Sequence, residues 1–238
     1  MNILLGTICI IVATFLFYEG LAIRTGTGGI GIQKRYTVDD KLFNGKAYLR
    51  EFIQPTQPEI QNIAKQLKRA TPQDTVIATY NWLENNYQYA TDKIKIYNGN
   101  VLIFEGNDDT WNLPTQSAGI KKYNGFKGDC EDGTFLLTSL LRANGINAWA
   151  NIGTVKIGEK IYGHAWTTVY LNGERCLLET TLGKPIKNFQ PVPDIYSAEF
   201  TFNESIVKAK LGADINKKID PLPPAKIPEL RKILNNGN

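Results

Sequence analysis

The strongest constraint on the fold is an Asn-Gly dipeptide at positions 172–173, which joins two runs of β-forming residues. The first run, YGHAWTTVYL, covers residues 162–171, and the second, ERCLLETT, covers residues 174–181. Asn-Gly between two such runs is the strongest short-range signal for a hairpin with a two-residue turn. A turn of that length sets Leu171 opposite Glu174 and fixes the register of the other pairs in the hairpin.

Alternation along the two strands decides which side chains share a face. His164, Trp166 and Glu179 fall on one face, and Glu179 is the diagonal neighbour of His164, within reach of a long side chain. Cys176 faces Val169 on the other side, which is typical of a cysteine buried in a core. The hairpin therefore predicts a histidine–carboxylate pair on one face and a structural cysteine on the other.

A second pattern, KGDCEDGTFLLTSLLRANGI, predicts a helix that begins at Cys130 and ends at the Asn-Gly of residues 144–145. Asp129 fits the N-cap, and Asp132 stands at the third helical position, as in a capping box. Glu131 is predicted to face solvent. Because the free N–H groups and the dipole of a helix start favour a thiolate, Cys130 is placed where a cysteine can be reactive.

Composition and charge exclude several classes of protein. The chain has 238 residues, of which 42% are hydrophobic and 21% are charged, and this argues for a packed core rather than disorder. The net charge of +4 is modest, and no block of lysine and arginine has the density of a nucleic-acid-binding arm. We therefore expect no nucleic-acid partner.

The N-terminus differs in kind from the rest, because residues 3–18, ILLGTICIIVATFLFY, carry no charge. With Glu19 near an interface, this segment is long enough to predict a single transmembrane helix. A signal peptide is the alternative, but the positive region that would begin one is missing. Basic residues follow the span and none precedes it, which favours a cytoplasmic domain over an extracytoplasmic or secreted one.

The chain has three cysteines and one histidine, which are residue types that bind metals. Zinc held by Cys130, Cys176 and His164 is conceivable, but the spacings match no common zinc pattern. We therefore predict neither a metal nor a cofactor. Cys9 falls inside the predicted anchor, which gives it no catalytic role.

Cys130, His164 and Glu179 form a candidate catalytic triad. Nucleophilic acyl transfer needs a thiol, a base that takes its proton and an acid that orients the base. The hairpin register brings Glu179 to His164, whereas no local pattern fixes the approach of Cys130 to His164.

The motifs GDCEDGTFLLTSLLRANGI, GHAWTTVYLNG and LLETT, in this order, resemble the transglutaminase-like superfamily, including its bacterial cysteine-peptidase branch. The upstream segment DTWNLPTQS resembles the segment that precedes the cysteine in that branch, and the resemblance covers about residues 57–205. It implies a papain-like α+β fold, in which N-terminal helices and a cysteine-bearing helix pack on an antiparallel sheet.

The resemblance also implies roles for individual residues. Cys130 is the nucleophile, His164 is the base, and Glu179 fixes the tautomer of His164, although the family's third residue is typically Asp. The substrate is then a protein or peptide. Water would resolve the thioester in a peptidase or amidase that cleaves a peptide or isopeptide bond, and this is the activity that we predict. The alternatives are a transglutaminase, in which a lysine amine resolves the thioester, and a non-catalytic binding module.

Three further residues are predicted to line the site. Trp111 or Gln116 supplies a second oxyanion donor beside the backbone N–H of Cys130, and Trp166 forms a wall. The chain is accordingly divided into an anchor or signal segment at 1–24, a linker and irregular region at 25–56, a transglutaminase-like catalytic domain at 57–212 and a Pro-rich tail at 213–238. The tail, which contains DPLPPAKIPEL, is predicted to be an extended linker or a surface wrap.

Overall fold

The computed structural model describes residues 41–42, 47–89, 102–103, 110–111, 113–114, 126–183, 189–215 and 219–236. Its helices are α1 (Pro58–Leu67), α2 (Pro72–Asn86), α3 (Cys130–Ala143) and α4 (Ile227–Asn236), with 3-10 turns at Leu49–Phe52 and Pro224–Lys226. Its strands are β1 (Lys41–Leu42), β2 (Ala47–Tyr48), β3 (Tyr87–Tyr89), β4 (Leu102–Ile103), β5 (Thr110–Trp111), β6 (Phe126–Gly128), β7 (Ala148–Ile157), β8 (Lys160–Leu171), β9 (Glu174–Leu178), β10 (Tyr196–Phe202) and β11 (Val207–Ala209).

The central sheet has five antiparallel strands in the order β11-β10-β7-β8-β9. The predicted hairpin is confirmed in its register, since Leu171 pairs with Glu174 and Val169 pairs with Cys176. Both turn residues have positive φ, 53° at Asn172 and 85° at Gly173, which is the conformation that this tight turn requires. The register is thus set locally.

Helix α3 lies against one face of the sheet, on strands β7 and β8. Thr138 and Thr167 join the two layers through a hydrogen bond of 3.1 Å between their hydroxyls, and Thr167 also donates to the backbone O of Thr134. Helices α1 and α2 cover the other side of α3 and share an apolar cluster with it. The predicted α+β arrangement, with the cysteine helix packed on an antiparallel sheet, is therefore confirmed.

Glu131 was predicted to face solvent, and this prediction is wrong. Every residue from Cys130 to Leu141 is buried, because α3 is enclosed by the sheet on one side and by two helices on the other. A helix in the middle of a domain has no solvent-exposed face over its enclosed residues, whereas the apolar pattern alone suggested such a face. Asp129 takes the predicted N-cap position, but its side chain makes no capping hydrogen bond.

The C-terminal region differs from the extended linker or surface wrap that its prolines predict. Helix α4 buries its apolar stripe against the second face of the sheet, in a cluster with Trp166. Before it, the chain runs beside β8: Gly163 N donates to Asp220 O at 2.8 Å, and Leu222 N donates to Gly163 O at 3.0 Å. The last proline, Pro228, lies in the first turn of α4, where proline is tolerated, and the apolar residues Ile227, Leu230 and Leu234 recur at helical spacing.

The predicted membrane anchor at residues 1–24 lies outside the described residues. Among the residues that the structure does describe, no helix is both long enough and apolar enough to span a membrane.

Candidate active site

His164 and Glu179 form a buried hydrogen-bonded pair, as the hairpin register predicts. His164 Nε2 lies 2.9 Å from Glu179 Oε2, and both side chains are 0% exposed. The histidine is carried by β8, and Glu179 directly follows the last residue of β9. The antiparallel pairing of these two strands therefore positions the carboxylate beside the imidazole.

Glu179 is held at both carboxylate oxygens. Oε1 accepts from Thr181 N at 3.0 Å and from Thr181 Oγ1 at 2.8 Å, and Oε2 accepts from Tyr196 Oη at 2.8 Å in addition to His164. Burial alone would raise the pKa of Glu179, but the charge of His164 and the hydrogen bonds from His164 and Thr181 lower it below its ordinary value. Glu179 is therefore ionised at neutral pH.

The ionised state of Glu179 determines the tautomer of His164. A carboxylate can only accept hydrogen bonds, so His164 Nε2 must carry the hydrogen in this contact. In the neutral ring Nδ1 then holds a lone pair, and within the described part of the chain Nδ1 is buried without a hydrogen-bond partner. The ring thus offers one buried nitrogen that can take a proton.

Cys130 is the first residue of helix α3, as predicted, and it is 8% exposed to solvent. Its thiol donates to Glu131 Oε2 at 3.3 Å. The helix start favours the thiolate, whereas a carboxylate at this distance favours the protonated thiol. Glu131 therefore opposes ionisation of the thiol in this arrangement. A solvent-exposed Glu131, as the sequence predicted, would not have this effect.

The start of α3 lies close to the Glu179 end of the hairpin. A Cβ placed on Gly133, one turn after Cys130, would come within 2.9 Å of Thr180 Oγ1, so only glycine fits this contact without a shift. Burial first, and then charges that include those of Cys130 and Glu179, raise the pKa of Tyr89.

The three predicted lining residues have different placements. Trp166 lies beside His164 with ring centroids 6.2 Å apart and an interplanar angle of 23°. Trp111 packs against Phe52 and Phe135 at centroid distances of 5.4 and 5.5 Å, in an aromatic cluster on α3. Gln116 lies outside the described residues, so the choice of the second oxyanion donor stays a prediction.

The donor groups for a metal differ from those considered in the sequence. Cys176 belongs to the cluster on the α3 side of the sheet, whereas His164 lies on the opposite face with Tyr196, so the zinc set is not brought together. Asp129, Cys130 and Glu131 each offer one ligand atom, and these atoms lie within 4.8 Å of one another. By its geometry this group could hold a cation.

Glu84 on α2 is a buried carboxyl that sequence reasoning missed. Neither of its oxygens has a hydrogen-bond partner among the described residues. Burial, followed by the charge of Glu179, raises the pKa of Glu84 from 4.5 to about 8, although the charge of Arg231 partly offsets this. Glu84 is therefore protonated in the folded protein at neutral pH.

Replacing Glu84 with Gln is expected to remove a pH-dependent loss of stability. Between pH 4.5 and 8 the folded chain keeps a proton on Glu84 that the unfolded chain releases. The free energy of unfolding therefore falls as pH rises, by about 1.4 kcal/mol per pH unit across this window. The unfolding free energies of wild type and Glu84→Gln are measured with urea at several pH values. The difference between wild type and the variant should fall with this slope as pH rises. Glu59→Gln, at an exposed position on α1, is the control, and the same slope in all three proteins would contradict the assignment.

Two other residues of the site were missed for different reasons. Tyr196 and Thr181 both donate to Glu179. Thr181 lies only two residues after Glu179, but the β pattern in the sequence extends to residue 181, whereas β9 ends at Leu178. Tyr196 comes from β10, which reaches the site through the pairing of β10 with β7. Such pairings between strands distant in sequence are invisible to patterns of short range.

Comparison with known proteins identifies the family. The chain matches no curated protein. Several solved structures resemble it at low similarity, and in three of them the matched region spans only part of each chain. A candidate protease from Parabacteroides distasonis ATCC 8503 has 15% identity and a TM-score of 0.39, over 58% of this chain and 25% of that one. A candidate cysteine protease from Cytophaga hutchinsonii has 15% identity and a TM-score of 0.39, over 78% and 63%.

The third structure is LapG from Legionella pneumophila, with 16% identity and a TM-score of 0.40, over 62% of this chain and 74% of that one. The family profile described as the transglutaminase-like domain matches residues 58–190, which is more than half of the chain. These residues contain α1, α2, α3 and the hairpin with its histidine. The chain therefore belongs to the transglutaminase-like domain family.

Proposed function

We propose that this chain is a thiol-dependent acyl-transfer enzyme, a cysteine peptidase or amidase that cleaves a peptide or isopeptide bond in a protein or peptide. The observation that carries the proposal is the buried His164–Glu179 hydrogen bond, which leaves His164 Nδ1 as a proton acceptor. The position of Cys130 at the start of a helix supports it, since free N–H groups there favour the thiolate.

The proposed reaction begins when His164 Nδ1 takes the proton of the Cys130 thiol. The thiolate sulfur bonds to the substrate carbonyl carbon, and the carbonyl electron pair moves to oxygen. When the tetrahedral intermediate collapses, the C–N bond breaks and the imidazolium gives its proton to the leaving amine. Water, deprotonated by His164, then attacks the thioester, and the acid leaves while Cys130 regains its proton.

Stabilisation of the oxyanion is assigned to the start of α3. The backbone N–H of Cys130 is one donor, and Trp111 or Gln116 supplies the second. The ring of Trp166 beside His164 forms a wall of the site. Glu179 keeps the imidazole in the tautomer that can accept the thiol proton, and its charge stabilises the imidazolium formed during the reaction.

A peptide mixture tests the proposal and separates it from its alternatives. Wild type is incubated with a tryptic digest of a whole proteome and a dansyl-labelled primary amine, and the products are analysed by mass spectrometry. We expect new peptide termini or the conversion of a side-chain amide to a carboxylate, and either product reports hydrolysis of the thioester. Amine incorporation without a hydrolysis product would instead indicate a transglutaminase, and the absence of all three products would favour a non-catalytic binding module. Cys176→Ser is the matched control that keeps Cys130.

We also propose that residues 1–24 anchor the chain in a membrane with the catalytic domain in the cytoplasm. The support is the uncharged run at 3–18 and the basic residues that follow it. Protease added to intact cells should leave the domain undigested until the membrane is permeabilised. Rapid digestion in unbroken cells would contradict this orientation and support the extracytoplasmic alternative.

A further inference from the structure

Tyr196 and His164 donate to the same oxygen of Glu179. The distances to Oε2 are 2.8 Å from Tyr196 Oη and 2.9 Å from His164 Nε2. The other oxygen, Oε1, is occupied by the two donors of Thr181. Because Thr181 fixes Oε1, the carboxylate cannot rotate to give Tyr196 and His164 an oxygen each, and the two donors must share Oε2.

The surroundings of Tyr196 keep its hydroxyl in this position. Its ring packs edge-on against Trp166 with centroids 5.0 Å apart, and its residue is buried in the cluster that α4 covers. A buried phenol that lost its hydrogen bond would be left unsatisfied, which is unfavourable. Burial first, and then the charge of Glu179, raise the pKa of Tyr196. The hydroxyl therefore stays protonated and can only donate to the carboxylate.

We propose that Tyr196 is a positioning residue that competes with His164 for Glu179 Oε2 and so weakens the pull of the carboxylate on the imidazolium. This inference rests on the proposed acyl-transfer function. A carboxylate that held the imidazolium too strongly would hinder the transfer of the imidazolium proton to the leaving amine. General acid–base catalysis is most efficient when the pKa of the catalytic group lies near the operating pH. The hydroxyl of Tyr196 spreads part of the negative charge of Glu179 and keeps the histidine able to exchange its proton.

The length of the Glu179 side chain, compared with that of an aspartate, agrees with this role. The longer side chain has one more rotatable bond, so more donors are needed to hold its carboxylate in one place. Thr181 holds one oxygen and Tyr196 the other. Several elements contribute titratable groups around Glu179, namely His164, Tyr196, Tyr80, Tyr89 and Glu84. The charge of Arg231 acts in turn on Glu84.

Histidine NMR tests the inference without a substrate. The chain has one histidine, so selective labelling of the full chain with ¹⁵N-histidine gives the signals of His164 alone. Removing the hydroxyl in Tyr196→Phe should raise the midpoint of the imidazole titration by about 0.5–1 pH unit, because Glu179 then acts on the imidazolium alone at Oε2. Tyr80→Phe is the matched control, because Tyr80 Oη donates to the backbone O of Glu179 and not to its carboxylate.

An unchanged midpoint in Tyr196→Phe, a lowered one, or an equal shift in Tyr80→Phe would overturn the inference. If Tyr196→Phe does not fold, 3-fluorotyrosine is incorporated at position 196. Its more acidic hydroxyl is a stronger donor, so the midpoint should move to lower pH, and no movement would overturn the inference equally. Alkylation of Cys130 by iodoacetamide, followed in the same samples, tests the proposed function separately. Slow alkylation of Cys130 together with a shifted titration midpoint of His164 would contradict the proposed enzymatic function. The same result would still support the competition between Tyr196 and His164 for Glu179.

Discussion

Replacement of Cys130 with Ser should reduce peptide cleavage by about a thousandfold or more while the chain keeps its fold. A serine hydroxyl is far less ionised than a thiol beside the same base, so the first bond-forming step loses its nucleophile. The fold should survive because the substitution exchanges one small polar atom for another next to Glu131, which can accept from either. Cleavage is measured on a peptide identified in the proteome digest, and folding is measured by urea unfolding.

Cys176→Ser provides the contrast for this prediction. Cys176 is buried opposite Val169 in the cluster under α3, and burial, followed by the charge of Glu174, raises its pKa. Its thiol is therefore a poor nucleophile, and its replacement should cost about 1 kcal/mol of stability with little change in the cleavage rate. Loss of cleavage in a folded Cys176→Ser, with cleavage retained in Cys130→Ser, would reverse the assignment.

Replacement of Glu179 with Gln should lower the cleavage rate by about a hundredfold or more, because the charge that stabilises the imidazolium is lost. The structure adds a second reason. Both oxygens of Glu179 accept two hydrogen bonds, whereas an amide offers only one oxygen. In either orientation the NH₂ group of Gln would face donors, either those of Thr181 or those of Tyr196 and His164.

Glu179→Asp should retain more activity than Glu179→Gln, because it keeps the charge. Its shorter side chain withdraws the carboxylate from Thr181 and Tyr196, so its rate should fall between those of Gln and wild type. The three proteins are compared at one pH on the same peptide, with their unfolding free energies measured alongside. Equal rates for Gln and wild type would remove Glu179 from the catalytic set.

Local patterns predicted the parts of the site that lie close together in sequence. The Asn-Gly turn fixed the hairpin register, and the register placed Glu179 at His164. The capping pattern placed Cys130 at the first position of α3. Each of these features depends on backbone geometry within one element or one turn, which short stretches of sequence specify.

The remaining features depend on contacts between distant segments. Glu131 is buried because two helices and a sheet enclose α3, which no pattern within the helix reveals. Tyr196 reaches Glu179 through the pairing of β10 with β7, and Glu84 approaches the same carboxylate from α2. Helix α4 was missed because the prolines before it suggested an extended chain, while its apolar stripe became meaningful only against Trp166.

The central claim is that His164 acts on Cys130, and the pH dependence of Cys130 alkylation tests it most directly. Wild type and His164→Ala are treated with iodoacetamide across a pH series, and the rate is read from the Cys130 peptide by mass spectrometry, with the Cys176 peptide as internal reference. In wild type we expect fast alkylation of Cys130 below pH 7, because the imidazolium stabilises the thiolate. In His164→Ala we expect the same reaction only near or above about pH 8.5, the range of an ordinary thiol. Superimposable Cys130 profiles in two folded proteins would contradict the claim.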